Sequence, residues 1–566
     1  MANTKPLAEQ IVFASGNTVE ELSGAAGASL VGFQQAGVNA VERTLADKVR
    51  EWVSVKDFGA VGDGVADDTA VLQAAINAAS PRTSVQLNGL TLRITATVLM
   101  ASSHVTLENG EIFYDRPVTV ESQHSAAIIP RDGCTLRNLR IRGAGLVGVA
   151  GNNITQAAVH SGSSSWLDAG GLQPAKNVTV ENCEIFNFTA GVFVGASAGD
   201  TVASGWVIRN NHVHDMVGTT NNSEGYGILI SPGHACIADG NLIENIKRHA
   251  IYLAGNAERC LVTNNIIRNV DNIAIHCYAY DTQAGNRHNK ISGNIVSGIT
   301  RHFTYAGAIT AVGIFVGANS SNIEVSSNYI KDAAQTGIMI SPYYNQQYGD
   351  GMSVRANYIV GTGFSDCGIR ADVIKEIDIS GNYIFTVPAA ANRGITIGAV
   401  DASGVSTITA NKIVQGYANS FAIVAPFNSS SGGKLHIYDN ELVGFVLSRE
   451  LSWGGTAALS TDTNGADLAG YTTADADIVH TPGGVNAVDR AVLRHNGTLT
   501  AARAVSLVVN TAKQKSFLLK RVGGGEFNLN VYSGVGGGLL TSLATNQWGM
   551  FHRNESGWEL VAKGSL

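Results

Sequence analysis

Between Asp215 and His302 the chain concentrates side chains that can move protons. Glu224, Lys247 and Asp271 recur at one position of a repeating frame, and Arg248 and His249 directly follow Lys247. If successive repeats stack as coils about 4.8 Å apart, Glu224 and Asp271 lie roughly 10 Å from each other. That is near the upper end of the ~6.5–9.5 Å separation at which one carboxylic acid protonates a glycosidic oxygen while a second carboxylate activates water. Lys247 between them, with Arg248 and His249 beside it, would tune both carboxyl groups. Tyr252, His276 and Tyr278 share the outward side of the next strands and would form a floor for substrate. Asp366, Arg370 and Asp372 make a second, smaller candidate cluster. His212 and His214 flank Val213 and share a face, but two histidines without a third ligand do not make a metal site. No metal or cofactor is expected, and no nucleotide loop, HExxH or Ser-His-Asp order is present.

The frame that positions these residues is built on nine asparagines, 24 to 34 residues apart: Asn211, Asn241, Asn265, Asn294, Asn328, Asn357, Asn382, Asn411 and Asn440. Three residues before each stands an apolar residue, from Ile208 to Ile437, and two residues after each stands another, from Val213 to Leu442. Strand-length apolar segments at this period specify a solenoid, here a right-handed parallel β-helix. Asn tolerates the left-handed backbone of a turn, and stacked Asn side chains can hydrogen-bond along the axis as a ladder. Cys183 and Leu139 take the ladder position in the weaker coils before Asn211. Cys236 and Cys260, each five residues before a ladder Asn, are expected as buried free thiols.

After each ladder Asn the next inward aliphatic (Ile228, Ile251, Ile275, Ile314, Ile338, Ile369, Ile395) follows a Gly or Ala. The spacing is 10 residues at Asn241, Asn265 and Asn328, but 17 at Asn211 and 20 at Asn294. Loops near 214–226, 278–289 and 297–311 therefore protrude around short-looped coils, leaving a groove.

Charged residues are 15% of the 566, the net charge is −7 and there is no basic stripe, which gives no support to nucleic-acid binding or to a membrane surface. Sixty-five glycines suit many tight turns. No apolar run is long enough for a membrane-spanning helix, no signal peptide is evident, and the six cysteines lack zinc spacing. The expected organisation is a short segment 1–31, a neck helix 32–53 carrying Val38, Val41, Leu45, Val49 and Trp52, and a cap 54–84 whose helix Ala70–Ala79 starts at Asp67, Asp68 and Thr69. Coils follow over 85–446, then a linker 447–477 and a C-terminal antiparallel β domain 478–566.

The segment VSVKDFGAVGDGVADDTAVLQAAINAA resembles the cap that opens the pectate-lyase-like β-helix of bacteriophage tailspikes, and the preceding SLVGFQQAGVNAVERTLADKVREW resembles the neck of capsule-depolymerising spikes. The resemblance implies a homotrimer in the virion tail that digests bacterial capsular polysaccharide at the host surface. It carries over no catalytic residues, since these differ between spikes. Only about 30 residues precede the neck, so docking onto another phage tail protein through 1–31 is expected. Three activities follow: an endo-glycosidase acting through Glu224 and Asp271; a polysaccharide lyase with Tyr252 or His276 as base and Arg248 or Lys247 neutralising a uronate; or a non-catalytic receptor-binding spike holding sugar on Trp166, Tyr252 and Tyr278.

Overall fold

The structure, a computed structural model, describes residues 19–116, 124–145, 155–163, 172–195, 200–218, 224–278, 285–300, 304–305, 308–309, 311–317, 320–341, 350–361, 367–372, 375–386, 393–398, 404–415, 421–425 and 434–443, with further stretches between 451 and 566. Its dominant feature is a parallel β-helix. Each central coil has three strands, as in Val207–Arg209, His212–Met216 and Tyr226–Ser231. Each strand pairs in parallel with its counterparts in the coils before and after. The third strands alone make a thirteen-stranded sheet, from Val98–Leu99 to Leu451–Trp453.

The ladder forms as the spacing required. Each Asn Nδ2 donates to the Oδ1 of the next ladder Asn, and Asn294 donates to Asn328 at 2.9 Å. Nδ2 also donates to the carbonyl of the −3 aliphatic one coil earlier, as Asn241 does to Ile208. Cys183 heads the ladder, its N–H donating to Asn211 Oδ1. The left-handed residue, however, is the one before each ladder Asn: Asn210, Gly240, Asn264, Gly293, Ser327, Ala356, Gly381, Ala410 and Asp439 all have positive φ. The ladder Asn is kept for its two-sided amide, not for its backbone tolerance.

The interior is filled by the −3 and +2 aliphatics and the stacked row Ile228, Ile251, Ile275, Ile314, Ile338, Ile369 and Ile395, all fully buried. Burying one such side chain contributes about 1.5–3 kcal/mol. The Gly or Ala before each row member points inward: a Cβ on Gly227 would lie 2.5 Å from the Ala250 carbonyl and 3.0 Å from Ile243 Cγ2. Only small residues fit there. All six cysteines are free and buried, Cys236 and Cys260 among them.

At the N-terminal end the helix Thr69–Ala78 buries Leu72, Ala75 and Ile76 against the first coils. Asp67 caps it through the Thr69 N–H, while buried Asp68 accepts from the N–H groups of Val61 and Gly62 and fixes the preceding turn. The neck helix over 32–53 does not form. Gly32–Phe33 pairs antiparallel with Arg43–Thr44, and only Leu45–Val49 is helical, started by a Thr44–Asp47 capping box. Gly37 at φ 143° and Asn39 at φ 69° interrupt any longer helix. Coiling also starts earlier and ends later than residues 85 and 446. Trp52–Ser54 pairs with Ser84–Gln86, and Ala458–Ser460 with Lys434–Tyr438, inside the expected linker.

The C-terminal region is not simply antiparallel. Ala469–Thr472, Val492–His495 and Ser516–Arg521 pair in parallel, as do Ile478–His480, Arg503–Leu507 and Leu529–Tyr532. Antiparallel pairing enters with Leu539–Leu543 against Leu529–Tyr532 and Gln547–Asn554 against Ser516–Arg521, and Gly557–Ser565 closes the last hairpin on Gln547–Asn554. Its own core gathers Val505, Phe517, Leu519, Phe551 and Trp558. Residues 1–18 lie outside the described part of the chain, and 19–31 hold two short helical turns, Val19–Ser23 and Gly27–Ser29. Among the described residues no helix is long and apolar enough to cross a membrane.

Candidate active site on the third sheet

Parallel register places the sequence-derived residues in two outward rows. One runs Phe193, Leu229, Tyr252, His276, Phe315, Met339, Arg370 and Thr396. The other runs Ala190, Tyr226, His249, Ile273 and Val312. Counting back two residues from the second row puts Glu224, Lys247 and Asp271 in successive coils, as the spacing had implied.

The floor is assembled but buried, which corrects the expectation of an open aromatic surface. Tyr252, Tyr278, His249 and His276 are 5%, 6%, 3% and 8% exposed. Along the axis their rings occupy one another's faces. Tyr252 and Tyr278 stack on His276 at 4.6 and 5.5 Å, and Phe315 meets it edge-on at 5.0 Å. His276 Nδ1 lies 3.2 Å from His249 Nε2. Burial pushes both imidazoles well below their ordinary pKa, and the positive charge of Arg248 adds to the effect on each, so both are neutral at pH 7. Their outer nitrogens, His249 Nδ1 and His276 Nε2, are buried without a hydrogen-bond partner. Orphaned polar atoms of this kind are costly unless a ligand uses them. Arg248 donates to the Tyr226 hydroxyl at 2.7 Å and lies over its ring.

The two carboxyl groups have different surroundings. Glu224 is 6% exposed, and burial pushes its pKa up to about 8, with Arg248 opposing the shift. It is therefore mostly protonated at neutral pH, the state a general acid needs. Asp271 lies on an open cavity of about 330 Å³, ion-paired to Lys247 Nζ at 3.1 Å. Asn187, Asp215, Asn245 and Asn269 also line that cavity, and Glu224 does not. Asp215 is a turn residue of an outer ladder: Asn187, Asp215, Asn245 and Asn269 all have positive φ, and Asn245 Nδ2 donates to Asp215 Oδ1. The sequence carries this ladder as Asn or Asp four residues after three ladder-position residues, Cys183, Asn211 and Asn241, and again after Asn265.

In the second candidate cluster Arg370 and Asp372 pair with each other, and Ser341 donates to Asp372, a structural ion pair. Asp366, Trp166 and the loop segments 219–223, 279–284 and 301–303 lie outside the described residues. His212 and His214 do have a third possible ligand, contrary to expectation: Glu184 sits beside them.

Two family models match the coil and its opening. Residues 96–300 match the model of a right handed beta helix region, and residues 52–87 match that of the rhamnogalacturonase A/epimerase, pectate lyase-like family. A curated relative, the K30/K69-specific capsule depolymerase 1 of Klebsiella phage K5-2, is 47% identical over 62 residues. That match spans 11% of this chain and 7% of the relative. Among solved structures, a tailspike protein variant of E. coli bacteriophage HK620 bound to a hexasaccharide aligns with TM-score 0.44 and 13% identity, covering 78% of this chain and 85% of that one. The A-module of an Azotobacter vinelandii mannuronan C-5 epimerase aligns at 0.45 and 15%, covering 73% and 100%.

Proposed function

We propose that this chain is a phage tail depolymerase of bacterial capsular polysaccharide, acting as an endo-glycosidase. The observation that carries the reading is Glu224, a buried carboxyl kept protonated near neutrality, two coils from the ion-paired carboxylate of Asp271. Glu224 protonates the glycosidic oxygen and Asp271 activates water on the opposite side of the sugar ring. The relative named as a capsule depolymerase supports the substrate class. Purified capsules from an enterobacterial panel that includes the K30 and K69 types test it: at least one should fall in viscosity on incubation. Every capsule keeping its full length would leave only sugar binding.

One observation favours a second reading, a lyase: neutral His249 and His276 each keep an unpartnered ring nitrogen beside Tyr252. Tyr252→Phe separates the two. Under hydrolysis the Tyr252 ring only packs against His276, and turnover changes little. Under elimination with Tyr252 as base, turnover collapses while Glu224→Gln and Asp271→Asn keep near-normal rates.

The assembly belongs to the same reading. Val38, Val41, Val49 and Trp52 are 95%, 76%, 45% and 48% exposed in the single chain, an apolar patch that copies of the chain would cover in a homotrimer. Light scattering should give three times the 59.1 kDa chain mass, and a stable monomer would refute it. Residues 1–31 would dock the trimer onto another tail protein, so that their removal leaves activity on free polysaccharide intact and abolishes incorporation into particles.

A further inference from the structure

Away from the third sheet, on the outer side of the second strands, a set of imidazoles and carboxylates spans three coils. Glu184, His212 and Leu242 are register partners, as are Phe186, His214 and Glu244. One ligand atom from each of Glu184, His212 and His214 lies within 4.8 Å of the others. His214 Nε2 is 3.2 Å from Glu184 Oε1, and His212 Nε2 is 3.0 Å from Glu244 Oε1.

The environment of His214 points to a bound cation. Its Nδ1 is 2.8 Å from Asp215 Oδ2, so both ring nitrogens face carboxylate oxygens. A neutral imidazole has one N–H and can satisfy only one of them. The other nitrogen then presents a lone pair toward a carboxylate, and a shared cation would satisfy both. If Nδ1–H donates to Asp215, Nε2 is the free ligand, the carboxylate–histidine–metal arrangement that fixes tautomer and ring angle. Arg140 Nε binds the second oxygen of Glu184 at 2.9 Å, leaving Oε1 toward His214. Phe186 stacks on the His214 ring at 4.9 Å and 8°, which further holds its plane. Zinc-type ions bind N and O at about 2.0–2.2 Å, which sets tetrahedral ligand atoms roughly 3.3 Å apart. The observed 3.2 Å needs almost no adjustment.

We infer that Glu184, His212 and His214 form a site for a zinc-class divalent ion, clamping two adjacent coils together. Imidazole donors select zinc, nickel or cobalt over the hard ions calcium and magnesium.

Cobalt(II) titration of the intact protein, read by visible absorption, tests this directly. The parent should develop ligand-field bands that saturate at one ion per chain, persist in excess calcium, and disappear when zinc is added. The His212→Ala/His214→Ala variant should lose the bands, and Glu184→Gln should weaken binding at least ~10-fold. Capsule cleavage should be unchanged in both, because these residues lie outside the catalytic cluster. No bands in the parent, or equal bands in parent and double-histidine variant, would overturn the inference. If the double variant misfolds, the weakening by Glu184→Gln decides the matter, and equal binding by that variant and the parent would overturn the inference.

Discussion

Glu224→Gln should lower turnover at least ~100-fold, the scale of losing a general acid, and at the same time stabilise the fold at alkaline pH. The two effects share one cause. Burial pushes the Glu224 carboxyl from 4.5 up to about 8. Between these values the unfolded chain releases the proton and the folded chain keeps it, so stability falls with rising pH by up to about 1.4 kcal/mol per pH unit. The loss begins near the unfolded pKa and levels off above the folded one. Gln carries no ionisation and escapes it. The gap in melting temperature between variant and parent should therefore be small near pH 4 and widen steadily to pH 8. Turnover of the parent should fall above about pH 8 as the acid is lost. Asp271→Asn should match the kinetic defect. A Gln variant that is active, or whose stability tracks the parent at every pH, would remove Glu224 from the mechanism.

Asn294→Ala should be among the most destabilising single changes in the coil. Asn294 Nδ2 donates to the Val262 carbonyl and to Asn328 Oδ1, and its own Oδ1 accepts from the Asn265 N–H and Nδ2. Alanine replaces none of these, and all the groups are buried. Asn328 Oδ1 keeps the backbone N–H of residue 294 and Asn265 Nδ2 keeps the Ala238 carbonyl, so at about 1–3 kcal/mol for each of the other two groups a total of roughly 2–6 kcal/mol is expected. In a coil that unfolds irreversibly this appears as faster inactivation by heat or detergent. Asn245→Gly, in the exposed outer ladder, removes two surface hydrogen bonds, one to Asp215 and one from Asn269, and should cost about 1 kcal/mol or less. Equal effects from the two changes would mean that the inner ladder does not hold the coils together.

How much of this was legible depended on whether the signal was periodic. The −3 and +2 aliphatics fixed the ladder, and counting from it placed Tyr252 over His276 and Glu224 two coils from Asp271. The same count, extended back to Cys183, would have put Glu184 beside His212, since both stand one residue after a ladder position. What failed was not periodic. The apolar stripe from Val38 to Trp52 has helical spacing, but Gly37 and Asn39 take backbone angles that no helix allows. Alternation after residue 478 fits parallel coils as well as antiparallel hairpins, because both repeat every two residues. The burial of Glu224 and of the Tyr252–His276–Tyr278 stack arises from neighbouring coils, and so could not be read from any one strand.

The proposed reaction on the third sheet of this β-helix is addition of water across the glycosidic bond, with Glu224 as the acid. Mass spectrometry of the fragments from a susceptible purified capsule, digested in parallel by the parent and Glu224→Gln, tests it most directly. The expected result is fragments each heavier than whole repeat units by one water, no new ultraviolet-absorbing double bond, and almost no fragments with Glu224→Gln. Fragments carrying an unsaturated uronate, formed as fast by the variant as by the parent, would contradict it.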